Sequence, residues 1–183
     1  MIVYDCTLPK IFSIPSASRA IFKKKAEAKH RDALPDFTYI DTITEGKKCD
    51  VFVVSKPCYK KSAVLKVFPR NQKGTTSKCF TNEVRFKFLN HPNIIKQLDS
   101  KEDYNFQREE ETYPSSYILM EYAPSGDFSQ FVKSHRTSIN DIVIRTYFHQ
   151  LIDAISYMHS QGAYHLDLKL ENLLMGENYQ LKV

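Results

Sequence analysis

The stretch H-L-D-L-K-L-E-N, from His165 to Asn172, places three chemically complementary side chains close together. The carboxylate of Asp167 can accept a proton from an attacking hydroxyl, and the ammonium of Lys169 can balance charge on a transferring phosphoryl group. The amide oxygen of Asn172 is a hard ligand suited to Mg²⁺. Taken alone, the stretch is equally compatible with an ordinary polar turn, so the surrounding sequence has to decide.

A long helix and two short strands are predicted on either side of this stretch. Apolar residues recur at mostly helical spacing over about 139–161, Ser138 with Asp141 forms a capping box, and Gly162 is a natural stop. The two short strands are predicted at 173–175 and 180–183. A loop between such elements can present functional side chains from a rigid scaffold.

The preceding half of the chain predicts an antiparallel sheet and one helix. Segments rich in β-branched and aromatic residues alternate with short polar turns. These segments predict strands at 37–44, 50–56, 62–68, 94–99 and 116–121, with a helix over 76–90 that Pro92 follows. Glu109, Glu110 and Glu111 lie in the polar loop between the last two strands, which we interpret as a solvated hairpin end.

The spacing Asp167, Lys169, Asn172 matches the D-x-K-x-x-N core of the catalytic loop of protein kinases. The chain resembles that family over about 37–183, and the lysine two residues after Asp167 resembles its serine/threonine branch. The resemblance implies an α+β, protein-kinase-like fold. Its N-lobe would be a five-stranded antiparallel sheet with one main helix, followed by the first helices and the catalytic loop of a truncated, mainly helical C-lobe.

The same resemblance assigns a nucleotide site upstream of the catalytic loop. Lys66, within V-L-K-V-F, stands where the family places the lysine that binds the nucleotide's phosphates, and Glu83 on the following helix would pair with it. Gly46 would lie in the loop that covers the phosphates. The remaining nucleotide contacts implied by the resemblance are Val51, Val64, the gatekeeper Met120, backbone groups of Glu121 and Ala123 for adenine, and Asp127 for the ribose.

The implied reaction transfers the γ-phosphoryl group of ATP to a protein hydroxyl, with ATP and Mg²⁺ as cofactors. Asp167 would be the base or hydroxyl orienter, Lys169 would steady the γ-phosphate, and Asn172 would hold a Mg²⁺ ion. The alternative, from another functional class, is a catalytically silent kinase-like module that binds nucleotide or a partner. A third alternative is a basic adaptor acting through residues 1–35.

Several positions depart from the family pattern. The glycine-rich loop reads T-E-G-K-K-C-D-V, so Thr44 and Cys49 replace two of its three glycines. The helix before His91 is one residue shorter than the family norm, which leaves Asn82 as the alternative to Glu83 because one residue turns a helix by about 100°. Leu166 replaces an arginine that binds an activation-loop phosphate, so we expect activity independent of that phosphorylation.

The D-F-G segment of the family would begin close to Val183 and does not appear in the sequence. We therefore expect a truncated kinase domain that does not phosphorylate substrates by itself. The expected organisation is a poorly ordered basic leader at 1–35 and a partial kinase domain at 36–183. Within that domain we expect an N-lobe at 36–121, a hinge at 122–126 and an incomplete C-lobe at 127–183.

Composition narrows the remaining function classes. The 183 residues carry 26 lysines and arginines against 21 acidic residues, a net charge of +5. Residues 1–35 contribute +4 of it (7 basic, 3 acidic), so the body offers no basic face for nucleic acid. No apolar run could span a membrane, and the four cysteines show no C-x-x-C spacing. We expect a protein substrate, an intracellular, cytoplasmic location with free thiols, and no stable membrane insertion.

Overall fold

The computed structural model describes residues 34, 36–57, 59, 61–70, 75–108 and 111–183. The leader predicted at 1–35 lies outside these residues except for Leu34. The chain divides into two compact units, which we call the sheet unit and the helical unit. The described residues up to Val84, together with Gln97–Tyr122, form the sheet unit, whereas Arg85–Lys96 and Ala123–Val183 form the helical unit. Residues 85–96 thus group with the helical unit, and the lobe and hinge boundaries remain predictions.

The sheet unit contains the predicted five-stranded antiparallel sheet, whose strand order is β1-β2-β3-β5-β4. Its strands are β1 (Thr38–Thr44), β2 (Asp50–Ser55), β3 (Ala63–Pro69), β4 (Gln97–Arg108) and β5 (Glu111–Glu121). The last two are much longer than predicted, because most of the segment interpreted as a polar loop continues the hairpin. Tyr104 and Phe106 explain this extension, since both are buried in the aromatic-rich core on one face of the sheet.

Strand alternation separates an apolar core from the face that carries charge. Leu65 and Val67 are buried in the aromatic-rich core, which also includes Leu34, a residue that the sequence analysis assigned to the leader. Lys66 and Phe68 point to the opposite face, where Phe68 packs with Phe80 of the helix α1 (Lys78–Val84). Lys66 therefore lies on the face opposite to Leu65 and Val67, as the alternation of side chains along a strand requires.

Helix α1 is shorter than the helix predicted over 76–90. It ends at Val84, and turns occupy residues 85–88. Phe86 and Leu89 are buried with Ile94 in a separate core that belongs to the helical unit. The apolar spacing that suggested one continuous helix therefore serves two different cores, and the chain leaves α1 to reach the second.

The helical unit contains α2 (Phe128–Ser134), α3 (Asp141–Ser160) and a two-stranded sheet of β6 (Leu174–Met175) and β7 (Leu181–Lys182). Helix α2 was not predicted. Asn140 is the N-cap of α3, and its side-chain oxygen accepts a hydrogen bond from the Val143 amide at 3.0 Å. The predicted capping box at Ser138 is therefore wrong, because a closer asparagine takes that role.

Part of the apolar surface of α3 is covered within the helical unit and part is exposed. Ala154 and Met158 pack against the segment 85–96, and Leu151 packs near β6 and β7. Ile142 and Phe148, in contrast, are 73% and 60% exposed. No helix in the described part of the chain is both long and apolar enough to cross a membrane.

Candidate active site

Lys66 and Glu83 form a buried ion pair within the sheet unit. The Lys66 ammonium donates to a carboxylate oxygen of Glu83, and their side chains are only 5% and 7% exposed. Asn82, the alternative partner, is exposed on α1. Because a buried charge is costly unless it is paired, the pair fixes the position of the Lys66 ammonium.

Four of the residues assigned to nucleotide binding share one face of the sheet. Val51 is the cross-strand partner of Lys66, and Val64, two residues before Lys66, is the partner of Met120. Directly opposed residues point to the same face, as do residues two apart on one strand. The sheet therefore presents Val51, Val64, Lys66 and Met120 together, with Glu121 following at the end of β5.

The loop between β1 and β2 is closed by a side chain that the sequence analysis did not select. The Gly46 amide donates to the Asp50 carboxylate at 3.0 Å, and Asp50 is buried. A Cβ on Gly46 would lie 3.2 Å from the carbonyl oxygen of Cys49, so the loop is tight at this glycine. Aspartate is common in turns, but its usual bond reaches the amide two residues after it, so no local rule indicated this bond to Gly46, four residues before Asp50.

The Cys49 thiol lies beside this region in a cluster with Phe68, Phe80 and Ile118. Burial raises the pKa of the Cys49 thiol to about 11, and nearby Glu83 and Asp50 act in the same direction against the opposing effect of Lys66. Cys49 is therefore a neutral thiol at physiological pH.

The helical unit brings Asp167, Lys169 and Asn172 into one hydrogen-bonded cluster. The Lys169 ammonium lies 2.7 Å from Asp167 Oδ2, and the Asn172 amide nitrogen donates to the same oxygen at 2.8 Å. The Asn172 nitrogen also donates to the Asp167 carbonyl oxygen at 2.8 Å, so it ties the side chain and the main chain of Asp167 together. Asn172 is buried, whereas Asp167 and Lys169 remain partly exposed.

This cluster keeps Asp167 ionised. Hydrogen bonds from Lys169 and then Asn172 lower the pKa of the Asp167 carboxyl below its ordinary value. Burial lowers the pKa of His165, although Asp167 opposes the shift, so the neutral imidazole is favoured. A neutral His165 two residues before an ionised Asp167 is well suited to a structural role: the Asp167 amide donates to His165 Nδ1 at 3.3 Å.

The remaining assigned residues also lie in the helical unit. Ala123 is buried, and Asp127 is the N-cap of α2, where its carboxylate accepts from the Gln130 amide at 2.8 Å. The geometry thus shows a capping role for Asp127, and its contact with a ribose stays a prediction. Among the described residues, no three His, Cys, Asp or Glu side chains are grouped to hold a metal ion.

Asn172 nevertheless has the chemistry required of a magnesium ligand. Its amide nitrogen is committed to Asp167, so the carbonyl arm of the same planar amide is the one suited to a cation. The negative charge of Asp167, on the other side of the amide, would add to the attraction. The residues present therefore fit such an ion.

Comparison with known proteins identifies the class. Residues 37–183 match the protein kinase domain family, and the chain belongs to that family. It is 34% identical over 144 residues to a probable serine/threonine-protein kinase MARK-C of Dictyostelium discoideum, which covers 78% of this chain and 18% of that protein.

Two relatives from Saccharomyces cerevisiae extend this comparison. Aurora kinase is 30% identical over 92% of this chain, and serine/threonine-protein kinase PKH2 is 28% identical over 95% of it. The chain spans 44% and 16% of these two proteins. The predicted relationship to serine/threonine kinases is confirmed, and the chain covers less than half the length of each of these relatives.

Proposed function

We propose that this chain contains the nucleotide-binding and catalytic-loop parts of a protein serine/threonine kinase that uses Mg²⁺ and ATP. The observation that carries the proposal is the Asp167 cluster, in which Lys169 and Asn172 hold an ionised carboxylate in place. The buried Lys66–Glu83 pair supports it by supplying a fixed cation for the nucleotide's phosphates.

In the proposed reaction the substrate hydroxyl oxygen forms a bond to the γ-phosphorus of ATP while the bond from that phosphorus to the β,γ-bridging oxygen breaks. Asp167 orients the hydroxyl and accepts its proton, and Lys169 balances the charge of the transferring group. Lys66 binds the α- and β-phosphates. Bound Mg²⁺, held by the Asn172 oxygen, would neutralise the charge that develops on the phosphates.

Binding of Mg·ATP to the chain tests the nucleotide part of this proposal. Lys66→Met removes the charged donor that would bind the phosphates. A hydrogen bond from such a donor contributes about 1.5–3 kcal/mol, so the affinity for Mg·ATP should fall about 10- to 100-fold. Lys101→Met removes an exposed lysine from the same sheet and should leave affinity unchanged. Equal affinity for wild type and Lys66→Met would contradict the assigned role of Lys66.

A second function, a silent nucleotide-binding module, is favoured by one observation. The loop retains a single glycine of its pattern, and the amide of that Gly46 is already bonded to Asp50. Assays of phosphate transfer and of Mg·ATP binding on the whole protein distinguish the two functions. In an active kinase, Asp167→Asn abolishes phosphate transfer to a protein substrate and preserves Mg·ATP binding, whereas a silent module transfers no phosphate in either form. The protein substrate and the intracellular, cytoplasmic location remain predictions.

A further inference from the structure

Gln97, the first residue of β4, contacts the end of α1 that carries Glu83. Its side-chain nitrogen donates to the Glu83 carbonyl oxygen at 2.7 Å, and the bond is buried. Gln97 is 9% exposed. A carbonyl oxygen only accepts hydrogen bonds, so the nitrogen of the Gln97 amide must be the atom that faces it.

The Glu83 carbonyl group needs this partner. The last four carbonyl groups of a helix accept no hydrogen bond from an amide of the same helix. Glu83 is the penultimate of the seven residues of α1, so its carbonyl group is one of these four. The chain turns away directly after Val84, so α1 cannot satisfy this carbonyl by continuing. Gln97 therefore acts as a cap that comes from a neighbouring strand.

The same residue connects α1 to the strand that bears Lys66. Gln97 pairs with Met120 of β5, and β5 pairs with β3, where Ile118 is the partner of Lys66. One end of the ion pair is thus part of the sheet, and the other end is tied to the sheet through Gln97. A shift of the α1 terminus would move the Glu83 carboxylate relative to the Lys66 ammonium.

We propose that Gln97 is a positioning residue for phosphate recognition, because it holds Glu83 in the place where its carboxylate orients Lys66. This inference rests on the proposed nucleotide binding. Gln97 itself does not contact the nucleotide in this proposal. Replacing Gln97 should therefore weaken the binding of ligands that carry phosphates and leave the binding of a nucleoside without phosphates unchanged.

The test compares ATP with adenosine as ligands of the complete 183-residue chain. Gln97→Met keeps the length of the side chain and removes the donor. We expect Mg·ATP affinity to fall about tenfold, the equivalent of one buried hydrogen bond, and adenosine affinity to stay within about twofold of wild type. Gln107→Met changes an exposed glutamine of the same strand and should alter neither affinity. If Gln97→Met does not fold, Gln97→Leu provides the comparison, since leucine also removes the amide donor and introduces no charge.

A double-mutant cycle with Glu83→Gln identifies the route of the effect. If Gln97 acts through the Glu83 carboxylate, Gln97→Met should weaken Mg·ATP binding much less in the Glu83→Gln background than in wild type. Additive losses, or equal losses for ATP and adenosine, would overturn the inference. Those results would leave the proposed function intact, whereas failure of the wild-type chain to bind either ligand would contradict the proposed function itself.

Discussion

Replacement of Glu83 by Gln removes the negative charge that accompanies the Lys66 ammonium and keeps the shape of the side chain. Both side chains are less than a tenth exposed, so the ammonium cannot gain full hydration when its partner is neutralised. Breaking a buried ion pair costs about 3–5 kcal/mol because one charge stays buried without compensation. The glutamine oxygen can still accept one hydrogen bond from Lys66, so we expect a loss near the lower limit, about 3 kcal/mol.

Chemical denaturation of the chain measures this loss as a fall in the free energy of unfolding. Asn82→Ala is the matched control, because Asn82 precedes Glu83 on α1 and is exposed. Alanine has the higher helix propensity, so the control should lie within about 0.5 kcal/mol of wild type. The same pair of variants compares the two candidates that the sequence left open as the partner of Lys66.

The double variant Lys66→Met, Glu83→Leu separates the cost of an orphaned charge from the cost of altered packing. Apolar residues of similar volume in place of a buried pair are often neutral or stabilising, so we expect the double variant to be more stable than Glu83→Gln alone. Similar losses for Glu83→Gln and Asn82→Ala would refute the assignment of the pair. A double variant that is less stable than Glu83→Gln would refute the reasoning about the uncompensated charge.

Three further predictions concern other parts of the chain. Iodoacetamide should label Cys49 slowly at pH 8, because only about 0.1% of a thiol with a pKa of about 11 is ionised there. The labelling rate, measured by peptide mass spectrometry, should rise about tenfold per pH unit up to pH 10. A rate that reaches a plateau near pH 9 would contradict the raised pKa. Asn140→Ala should lower the free energy of unfolding by about 1 kcal/mol and Ser138→Ala by clearly less, since only Asn140 caps α3; equal losses would favour the capping box. The pKa of His165 is lower in the folded chain than its ordinary value of 6.5, so below pH 6.5 the unfolded chain binds more protons than the folded chain. The free energy of unfolding should therefore fall as the pH drops through 6.5. Denaturation at several pH values should show a weaker pH dependence for His165→Gln, and an unchanged dependence would contradict this prediction.

The strand pattern made the sheet unit largely predictable, because period-two alternation determines both the strands and the face of each side chain. Lys66 is the clearest case, since its position between Leu65 and Val67 already separated it from the apolar core. The Asp167 cluster was predictable for a similar reason, because its three residues are close in sequence and one short loop brings them together.

Features that depend on distant packing were less predictable. The apolar residues at 84, 86 and 89 fit one helix by spacing, but Phe86 and Leu89 contribute to a core formed with α3. Helix α2 was missed because its main sequence signal is its N-cap, Asp127, and the family resemblance assigned that residue to the ribose. The hydrogen bond of Gln97 to Glu83 joins residues 14 positions apart, and no local rule indicates it.

The loop between β1 and β2, which the family resemblance assigns to covering the phosphates, is not distorted by the replacement of two of its glycines. Among the described residues, neither Thr44 nor Cys49 has the positive φ that favours glycine, so side chains are compatible with the backbone at both positions. Gly46 is retained where a Cβ would approach the Cys49 carbonyl oxygen to 3.2 Å, and the Gly46 amide closes the loop onto Asp50. The glycine that remains is thus the one with a steric reason to stay. If the loop covers phosphate as predicted, the replacement of the other two glycines alters how the loop contacts phosphate and leaves its backbone conformation intact.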